Sequence, residues 1–328
     1  MPVEVRILSA ADTRGLLDIS RAIEIVEDTF RWYANGEVMW SDPAVMNLSV
    51  PDLRAAYRLK GTYLPALRVA GFRVTGMVLD EAGGGSGAPD NTRFVLLSDP
   101  VTGHPLAILD EHWTYSVRTV AAAAVAAKYL ADPASDCLGL VGAGQLATIG
   151  LRALHHIFPI KRVRVYSRRP ERRRGFADRM SEDTGVEVRA VDTAEAAVRD
   201  APLVLACTSA GRPVVQAAWM GRDIFLCTLG RDELEPACYA GADKIVFDSW
   251  DLSQESGDVR RLVQSGVLSR DRLYAEIGDV VVGRKPGREG PGRVIVRAEG
   301  MASQDIAIAA WTYQRAAECG IGLVLPVG

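Results

Sequence analysis

Apolar residues recur at helical spacing in the first part of the chain, and the pattern changes twice after that. Residues 10–35 carry apolar side chains three or four positions apart, which predicts one or two amphipathic helices. Residues 42–109 form short β-rich runs separated by Gly, Pro and Asp. We expect strands at 69–79, 93–98 and 105–109, with a hairpin turn at 99–104. The glycine-rich stretch 83–87 is either a plain flexible connector or part of an active-site loop.

An alanine-rich segment, residues 114–131, predicts a helix that can pack very close to its neighbours and ends at Asp132-Pro133. After it, short apolar strands alternate with helices. The predicted strands are 137–141, 163–166, 187–191, 203–207, 224–229 and 244–247, and the predicted helices are 146–157, 169–184 and 193–199. This alternation indicates an α/β fold, a Rossmann-type doubly wound parallel sheet with helices on both faces.

Composition narrows the class of protein. The chain has 328 residues, 48% of them hydrophobic and 24% charged, with a formal net charge of -3, so we expect a globular protein of two domains. This charge predicts no general attraction to nucleic acid or to a membrane surface. The longest apolar run, residues 120–127, is far shorter than the roughly 20 residues of a membrane span. The first residues lack the pattern of a signal peptide, and the five cysteines are scattered, so we expect reduced thiols in the cytoplasm and no metal site.

A glycine-rich turn follows the first predicted strand of the central sheet. Gly142 to Ala147 read G-A-G-Q-L-A, which matches the dinucleotide fingerprint in its required place between a strand and a helix. In this motif one glycine permits a tight turn, the next lets the pyrophosphate approach the backbone, and the N-terminus of the helix receives the phosphates. The predicted cofactor-binding residues here are Gly142, Ala143, Gly144, Gln145 and Leu146.

The end of the next strand predicts which nicotinamide cofactor binds. NAD-binding domains carry an acidic residue there for the ribose 2′-hydroxyl, but this chain has Ser167, Arg168 and Arg169. Because guanidinium groups pair well with phosphate, we expect NADP(H) rather than NAD(H). The alternative is a solvated basic face that continues into residues 172–174. Further along, Cys207, Thr208 and Ser209 follow another strand and are expected beside the nicotinamide ribose, or they form a simple turn.

These residues and their surroundings resemble the ornithine cyclodeaminase/mu-crystallin family. The resemblance depends on residues 110–122, which are similar to the family's D-G-x-x-L-T-x-x-R-T-A-A segment, on the G-A-G-Q turn, and on Cys207-Thr208-Ser209, Gly230-Arg231-Asp232 and Asp305. It implies a homodimer with a mixed α/β substrate-binding and dimerisation domain, residues 1–131 with 305–328, and a Rossmann domain at 132–304. It also implies chemistry at the α-carbon of an amino or imino acid.

The resemblance assigns roles to individual residues. Arg118 matches the arginine that binds the substrate carboxylate, and the alternative for it is a salt bridge. Thr119 beside it is placed with the cofactor-binding residues. Asp232 matches the catalytic aspartate, although the loop is shorter than usual, so Glu233 or Glu235 is an alternative.

Two departures from the family pattern argue against ornithine as the substrate. Arg73 stands where the family usually has a lysine, and an arginine can bind an anion but cannot act as a general base. A second carboxylate-binding arginine has no clear counterpart, since Val45 or Met46 aligns there. Arg58 or Lys60 is a candidate to supply the missing charge.

Three functions fit these residues. The first is an NADPH-dependent reductase of a C=N bond next to a carboxylate, with Arg118 and Arg73 holding the carboxylate and Asp232 positioning the nitrogen. The second is a cyclodeaminase, a lyase that recycles bound NAD while ammonia leaves. The third is a protein that binds the dinucleotide without turnover, for which loss of Arg118 and Asp232 would be expected, and both are present.

Overall fold

The structure, a computed structural model, describes residues 3–78, 91–254 and 256–327. The glycine-rich stretch 83–87 lies outside the described residues. The chain divides into two compact units, Met1–Arg118 with Gly300–Gly328, and Thr119–Glu299. The domain limits predicted from the sequence, 131/132 and 304/305, lie thirteen and five residues after the corresponding divisions at 118/119 and 299/300, and they stay a proposal.

The first unit begins with a strand, two helices and a series of strands. Its strands are β1 (Val3–Leu8), β2 (Met39–Trp40), β3 (Met46–Val50), β4 (Ala55–Leu64), β5 (Val69–Val78), β6 (Thr92–Ser98) and β7 (Pro105–Asp110). Its helices are α1 (Ala10–Leu16) and α2 (Ile19–Ala34). Helix α3 (His112–Leu130) begins in this unit and continues into the second.

The second unit alternates strands with helices. Its strands are β8 (Cys137–Val141), β9 (Arg162–Tyr166), β10 (Glu187–Ala190), β11 (Leu203–Ala206), β12 (Ile224–Thr228), β13 (Lys244–Phe247), β14 (Ala275–Glu276) and β15 (Arg293–Arg297). Its helices are α4 (Gln145–Ile157), α5 (Pro170–Thr184), α6 (Ala194–Val198), α7 (Pro236–Ala240), α8 (Trp250–Ser253), α9 (Gly257–Gln264) and α10 (Ile277–Val281). The chain then returns to the first unit with α11 (Ala302–Cys319) and β16 (Leu323–Val327).

The sheet of the first unit is mixed and has its core on one face. Its strands run in the order β16-β1-β7-β6-β5-β4-β2, with β3 also paired to β4. Helix α11 packs against β4, β5 and β6 and against α2. Most of the first half of α11 is buried, because Ala, Ile and Ser side chains there fit closely against the strands. This packing places the polar head of α11 over the middle of the sheet.

The sheet of the second unit is parallel, in the order β10-β9-β8-β11-β12-β15-β13-β14. The central strands β8, β11 and β12 are buried along their whole length, which is typical of a parallel sheet covered on both faces. The predicted Rossmann-type α/β fold is therefore confirmed. Strand order reverses at β8, so the carboxyl ends of β8 and β11 form the crevice where such sheets bind ligands.

The strands and helices predicted from hydrophobic pattern are present with bounds shifted by one or two residues. Other strands were not predicted individually: β2, β3 and β4 in the first unit, β14 and β15 in the second, and the two strands at the ends of the chain. Strands β1 and β16 were not predicted, and they pair antiparallel with each other, Val3 opposite Val327. Helices α7 to α10 were also missed, since each spans between four and eight residues and carries too few turns to show a period.

Candidate active site

The turn between β8 and α4 has the geometry that the dinucleotide fingerprint predicts. Gly142 has a φ of 126°, and a Cβ atom there would lie 2.6 Å from the carbonyl oxygen of Cys207, so only glycine fits. Gly144 is the N-cap of α4, and a Cβ atom there would meet no described atom within 4 Å. No side chain caps the helix, which leaves its first N–H groups directed at open space. This arrangement fits a pyrophosphate.

A cleft of about 440 Å³ opens at this turn. It is lined by Val141, Gly142, Ala143, Gly144, Tyr166, Ser167, Arg168, Arg169, Arg172, Cys207, Thr208, Ser209, Ala210, Arg212 and Val214. Nine of the twelve predicted cofactor-binding residues are in this set. The other three differ: Gln145 and Leu146 form the first turn of α4 without lining the cleft, and Thr119 is a buried residue of α3.

Positive charge dominates the part of this cleft that follows β9. Arg168, Arg169 and Arg172 line it from one side, Arg212 lines it from the loop after β11, and no carboxylate is among the described lining residues. Arg173 points elsewhere, because its guanidinium donates to the carboxylate of Asp192 and to the carbonyl oxygen of Ser167. Within the arginine-rich segment 168–174, Arg173 therefore has a structural role, whereas Arg168, Arg169 and Arg172 line the cleft.

Sequence reasoning missed Arg172 and Arg212 as cleft residues. Arg172 lies in the first turn of α5, three residues after Arg169 at the N-cap, and this spacing was an available signal. No local pattern pointed to Arg212, which reaches the cleft only through the pairing of β11 with β8.

Glu233 organises the loop that follows β12. Its side chain is buried and accepts hydrogen bonds from the hydroxyl of Thr228 (2.6 Å), the backbone N–H of Gly230 (2.7 Å) and the backbone N–H of Thr208. Glu235 accepts a bond from the backbone N–H of Ala217 at 3.0 Å. These carboxylates link the loops that follow β11 and β12. Glu233 and Glu235, the two alternatives to Asp232 as the catalytic carboxylate, therefore both have structural roles.

Asp232 differs from these neighbours in exposure and in backbone conformation. Its φ of 56° is in the left-handed region, which is uncommon for a residue with a side chain and is often found at functional sites. Its carboxylate pairs with Arg261 at 2.6 Å, and the two side chains are 33% and 61% exposed. Asp232 lines a cleft of about 280 Å³ together with Glu233, Asp258 and Arg261. It is not among the residues that line the dinucleotide cleft.

In the first unit, Arg118 is held by Asp305. The two side chains are buried, and Nε of Arg118 lies 2.5 Å from Oδ1 of Asp305 at the head of α11. Arg118 lies in the second turn of α3, beyond the helix N-terminus. Although burial disfavours the charge of Asp305, Arg118, Arg73 and Lys60 hold the pKa of this carboxyl below its ordinary value.

Arg73 forms a second buried pair, with Glu111. Its Nε lies 2.6 and 2.7 Å from the two carboxylate oxygens of Glu111, and 3.6 Å from Oδ2 of Asp305. Burial raises the pKa of Glu111 to about 7, against the opposing effect of Arg73. Sequence reasoning missed Glu111, because nothing local marks a glutamate that directly follows a strand as the partner of an arginine in another strand.

Tyr115 is surrounded by guanidinium groups. The central carbons of Arg93, Arg118 and Arg73 lie 4.4, 4.7 and 5.2 Å from the centre of its ring. Burial opposes ionisation of the phenol, but the charges of Arg118, Arg93 and Arg73 lower its pKa overall. Neither Tyr115 nor Arg93 was predicted as a site residue.

Lys60 lies in β4, directly opposite Arg73 of β5. Its ammonium group lies 3.5 Å from the carbonyl oxygen of Gly300. Burial, together with the charges of Arg58 and Arg73, lowers the pKa of Lys60 to about 8. The aligned positions Val45 and Met46 add no charge, so Lys60 and Arg58 are the cations that β4 brings to this face.

Gly300 fits closely against Arg118. Its φ is 92°, and a Cβ atom there would lie 1.6 Å from Nη1 of Arg118.

Among the described residues there is no group of three or more His, Cys, Asp and Glu side chains that could hold a metal ion. None of the described helices is long and apolar enough to cross a membrane.

Comparison with known proteins gives one consistent family. The profile of the ornithine cyclodeaminase/mu-crystallin family matches residues 3–320. The chain is 32% identical to an alanine dehydrogenase of Archaeoglobus fulgidus over 327 residues, 98% of either chain. It is 31% identical to the N-((2S)-2-amino-2-carboxyethyl)-L-glutamate dehydrogenase of Staphylococcus aureus over 235 residues, 70% of either chain. Among solved structures, the Δ1-pyrroline-2-carboxylate reductase of Thermococcus litoralis in complex with NADH and L-proline is 28% identical, with a TM-score of 0.89, covering 97% of this chain and 99% of the other.

Proposed function

Because this chain belongs to the ornithine cyclodeaminase/mu-crystallin family, we propose that it is an NADPH-dependent reductase of a C=N bond next to a carboxylate. The product is an amino acid or an N-substituted amino acid. The observation that carries this proposal is the dinucleotide cleft lined by four arginines and by no described carboxylate. Net reduction commonly draws on NADPH, whereas a cyclodeaminase recycles a bound cofactor.

The enzyme is an oxidoreductase that uses a nicotinamide cofactor, which supplies hydride when bound. The backbone of Gly142 to Gly144 and the first turn of α4 would hold the pyrophosphate. Arg168, Arg169 and Arg172 would hold the 2′-phosphate, since guanidinium and phosphate form paired, charge-assisted hydrogen bonds. Thr208 and Ser209, at the end of β11, would lie beside the nicotinamide ribose.

Arg118 and Arg73 would bind the substrate carboxylate. Asp305 contacts Arg118 and Glu111 contacts Arg73 through Nε, so each guanidinium plane is fixed before the substrate arrives. The surrounding burial weakens competition from water and strengthens each charge-assisted bond. The buried pairs thus serve to orient the two arginines.

Asp232 would bind the substrate nitrogen. Its present partner, Arg261, is exposed, and ion pairs of this kind contribute little to stability. Exchange of Arg261 for a cationic iminium therefore costs little. The strained backbone at Asp232 supports a functional position.

A homodimer is part of the proposal, and the open face of the mixed sheet supports it. Antiparallel register places Tyr57, Phe72 and Ile108 on the face away from α11, next to Met46 and Leu48 of β3. These apolar side chains are between 36% and 55% exposed. We infer that this apolar face is the dimer interface, and Phe72→Lys is expected to give monomers in analytical ultracentrifugation.

The direct test is NADPH oxidation, followed at 340 nm, with small 2-oxo acids plus amines and with cyclic imino acids. The proposal predicts turnover that depends on the imine. Release of ammonia from ornithine or lysine with no net change in the cofactor would instead establish the cyclodeaminase reaction. Tight cofactor binding without either activity would establish a binding protein.

A further inference from the structure

Two cations on the inner face of the mixed sheet flank the Arg73–Glu111 pair from opposite sides. Lys60 lies opposite Arg73 in β4, and Arg93 lies opposite Thr75 in β6. Direct partners in an antiparallel pair share a face, as do residues two apart in one strand. Lys60, Arg73 and Arg93 therefore project to the same side, toward α11.

The charges on this face do not balance among the described residues. Asp305 pairs with Arg118, and Glu111 pairs with Arg73. Neither Lys60 nor Arg93 has a described carboxylate within ion-pair distance. Burying a cation without a counter-ion costs stability, and the lowered pKa of Lys60 reflects this cost. Arg58 adds a further positive charge to this face, opposite Thr75. Anionic groups of a ligand would compensate the charges of Lys60 and Arg93.

Three buried polar side-chain atoms near these cations lack hydrogen-bond partners among the described residues. Thr75 lies two residues after Arg73 in β5 and directly opposite Arg93 of β6. Its hydroxyl is buried and has no hydrogen-bond partner among the described residues. Ser303 and Gln304 directly precede Asp305 in the first turn of α11. The hydroxyl of Ser303 and the side-chain amide nitrogen of Gln304 are also buried and have no hydrogen-bond partner among the described residues. Buried polar groups in native proteins are nearly always satisfied, so these donors favour an acceptor-rich ligand such as a carboxylate.

We propose that Lys60 and Arg93 mark two separate anion positions, and that the substrate is an imino acid with two carboxylates. This rests on the function proposed above. Lys60 lies 3.5 Å from the carbonyl oxygen of Gly300, which packs against Arg118, so Lys60 joins Arg118 and Arg73 at the carboxylate next to the C=N bond. Arg93, whose guanidinium lies over the Tyr115 ring with its central carbon 4.4 Å from the ring centre, takes the second carboxylate and decides specificity.

The spacing of the strands suits a substrate of four or five carbons. Strands β4 and β6 are the two neighbours of β5, so their backbones lie about 9.5 Å apart. Lys60 and Arg93 are also offset by two residues along the strands, and their long side chains can extend toward each other across β5. A dicarboxylate of this length can then contact both cations.

The experiment compares matched acids that differ only in the second carboxylate. The complex of the enzyme with NADP+ is titrated in a calorimeter with 2-oxoglutarate and with 2-oxopentanoate, and then with oxaloacetate and 2-oxobutyrate. We expect the dicarboxylate of each pair to bind about 10- to 100-fold more tightly, as one charge-assisted bond predicts. The kcat/KM for NADPH oxidation in the presence of ammonium should show the same preference.

Two variants separate the two anion positions. Arg93→Gln should abolish the preference while leaving 2-oxopentanoate binding within about twofold, and Lys60→Met should weaken both acids of a pair equally. Arg21→Gln, an exposed arginine of α2 in an ion pair with Glu24, is the control and should change neither.

The failures of the two proposals are distinguishable. Equal binding of the two acids by the wild-type enzyme, or equal losses in Arg93→Gln, would overturn the second anion position even if NADPH is oxidised. Preferential binding of dicarboxylates with no NADPH oxidation in any imine mixture would support the anion position and overturn the proposed reaction.

Discussion

Arg118 and Asp305 lie 187 positions apart in the chain, and their side chains meet in a buried ion pair with 2.5 Å between Nε and Oδ1. The pair joins α3 to the head of α11 within the first unit. Removal of either partner alone would leave a buried charge uncompensated, which costs far more than the pair contributes. Variants that shift Arg118 without removing charge therefore test its role more cleanly.

Gly300→Ala is such a variant. The new methyl group would overlap the guanidinium of Arg118 and force it from its position, so kcat/KM should fall about 100-fold while NADPH affinity stays unchanged. Gly36→Ala is the matched control, since Gly36 also has a positive φ, 74°, but nothing lies within 4 Å of its added Cβ. Equal kcat/KM in both variants would show that only backbone strain matters.

Arg168→Gln tests the choice of cofactor. Loss of a guanidinium that pairs with the 2′-phosphate should raise the KM for NADPH about tenfold or more and leave the KM for NADH within about twofold. Arg174→Gln removes an exposed arginine of the same basic run that does not line the cleft, and it should change neither value. Parallel losses for both cofactors in Arg168→Gln would contradict the assignment.

The pH dependence of KM should report the charge of Lys60. The pKa of Lys60 is lowered to about 8 by burial and by the charges of Arg58 and Arg73, while Asp305 acts in the opposite direction and Arg118 in the same one. The KM for the 2-oxo acid should therefore rise as the pH increases through about 8. Glu111, with a pKa of about 7, titrates below this window.

Lys60→Arg is the control for this profile, because arginine stays protonated throughout, so the alkaline rise in KM should disappear. The lowered pKa also means that neutral Lys60 favours the fold, and that this contribution is lost as the pH falls through 8. Lys60→Met should accordingly raise the free energy of unfolding at pH 7. A lower free energy of unfolding there would contradict the account of Lys60 as an uncompensated charge.

Asp232→Asn should lower kcat by about two to four orders of magnitude, the range for loss of a group that handles a proton. The affinity for NADPH should not change, because Asp232 does not line the dinucleotide cleft in the described structure. Asp251→Asn, an exposed aspartate of α8, serves as the control. An unaffected kcat in Asp232→Asn would remove this residue from the reaction.

The second unit was predictable because its strands are buried on both faces. Fully apolar strands such as residues 137–141 and 203–206 leave a strong signal between helices of clear period. The glycines of the turn after β8 were also predictable, because a tight turn and a ligand close to the backbone both require glycine.

The charged cluster of the first unit was only partly predictable. Arg118 and Arg73 were found through a family pattern, but Glu111, Tyr115 and Arg93 look like ordinary polar surface residues in the sequence. They become a site only when β5, β6 and α3 are brought together by long-range pairing. The pairing of β1 with β16 was missed for the same reason, since contact between the two ends of a chain leaves no local period.

The account is tested most directly by tracing hydride. NADPH carrying deuterium at C4 of the nicotinamide, in each stereochemical form, is incubated with the enzyme, a 2-oxo acid and ammonium, and the product is analysed by mass spectrometry and NMR. We predict that one of the two forms delivers a single deuterium to the α-carbon of the amino acid, with one NADP+ formed per product. An amino acid without deuterium at the α-carbon from either form, or ammonia release with the cofactor unchanged, would contradict imine reduction by this enzyme.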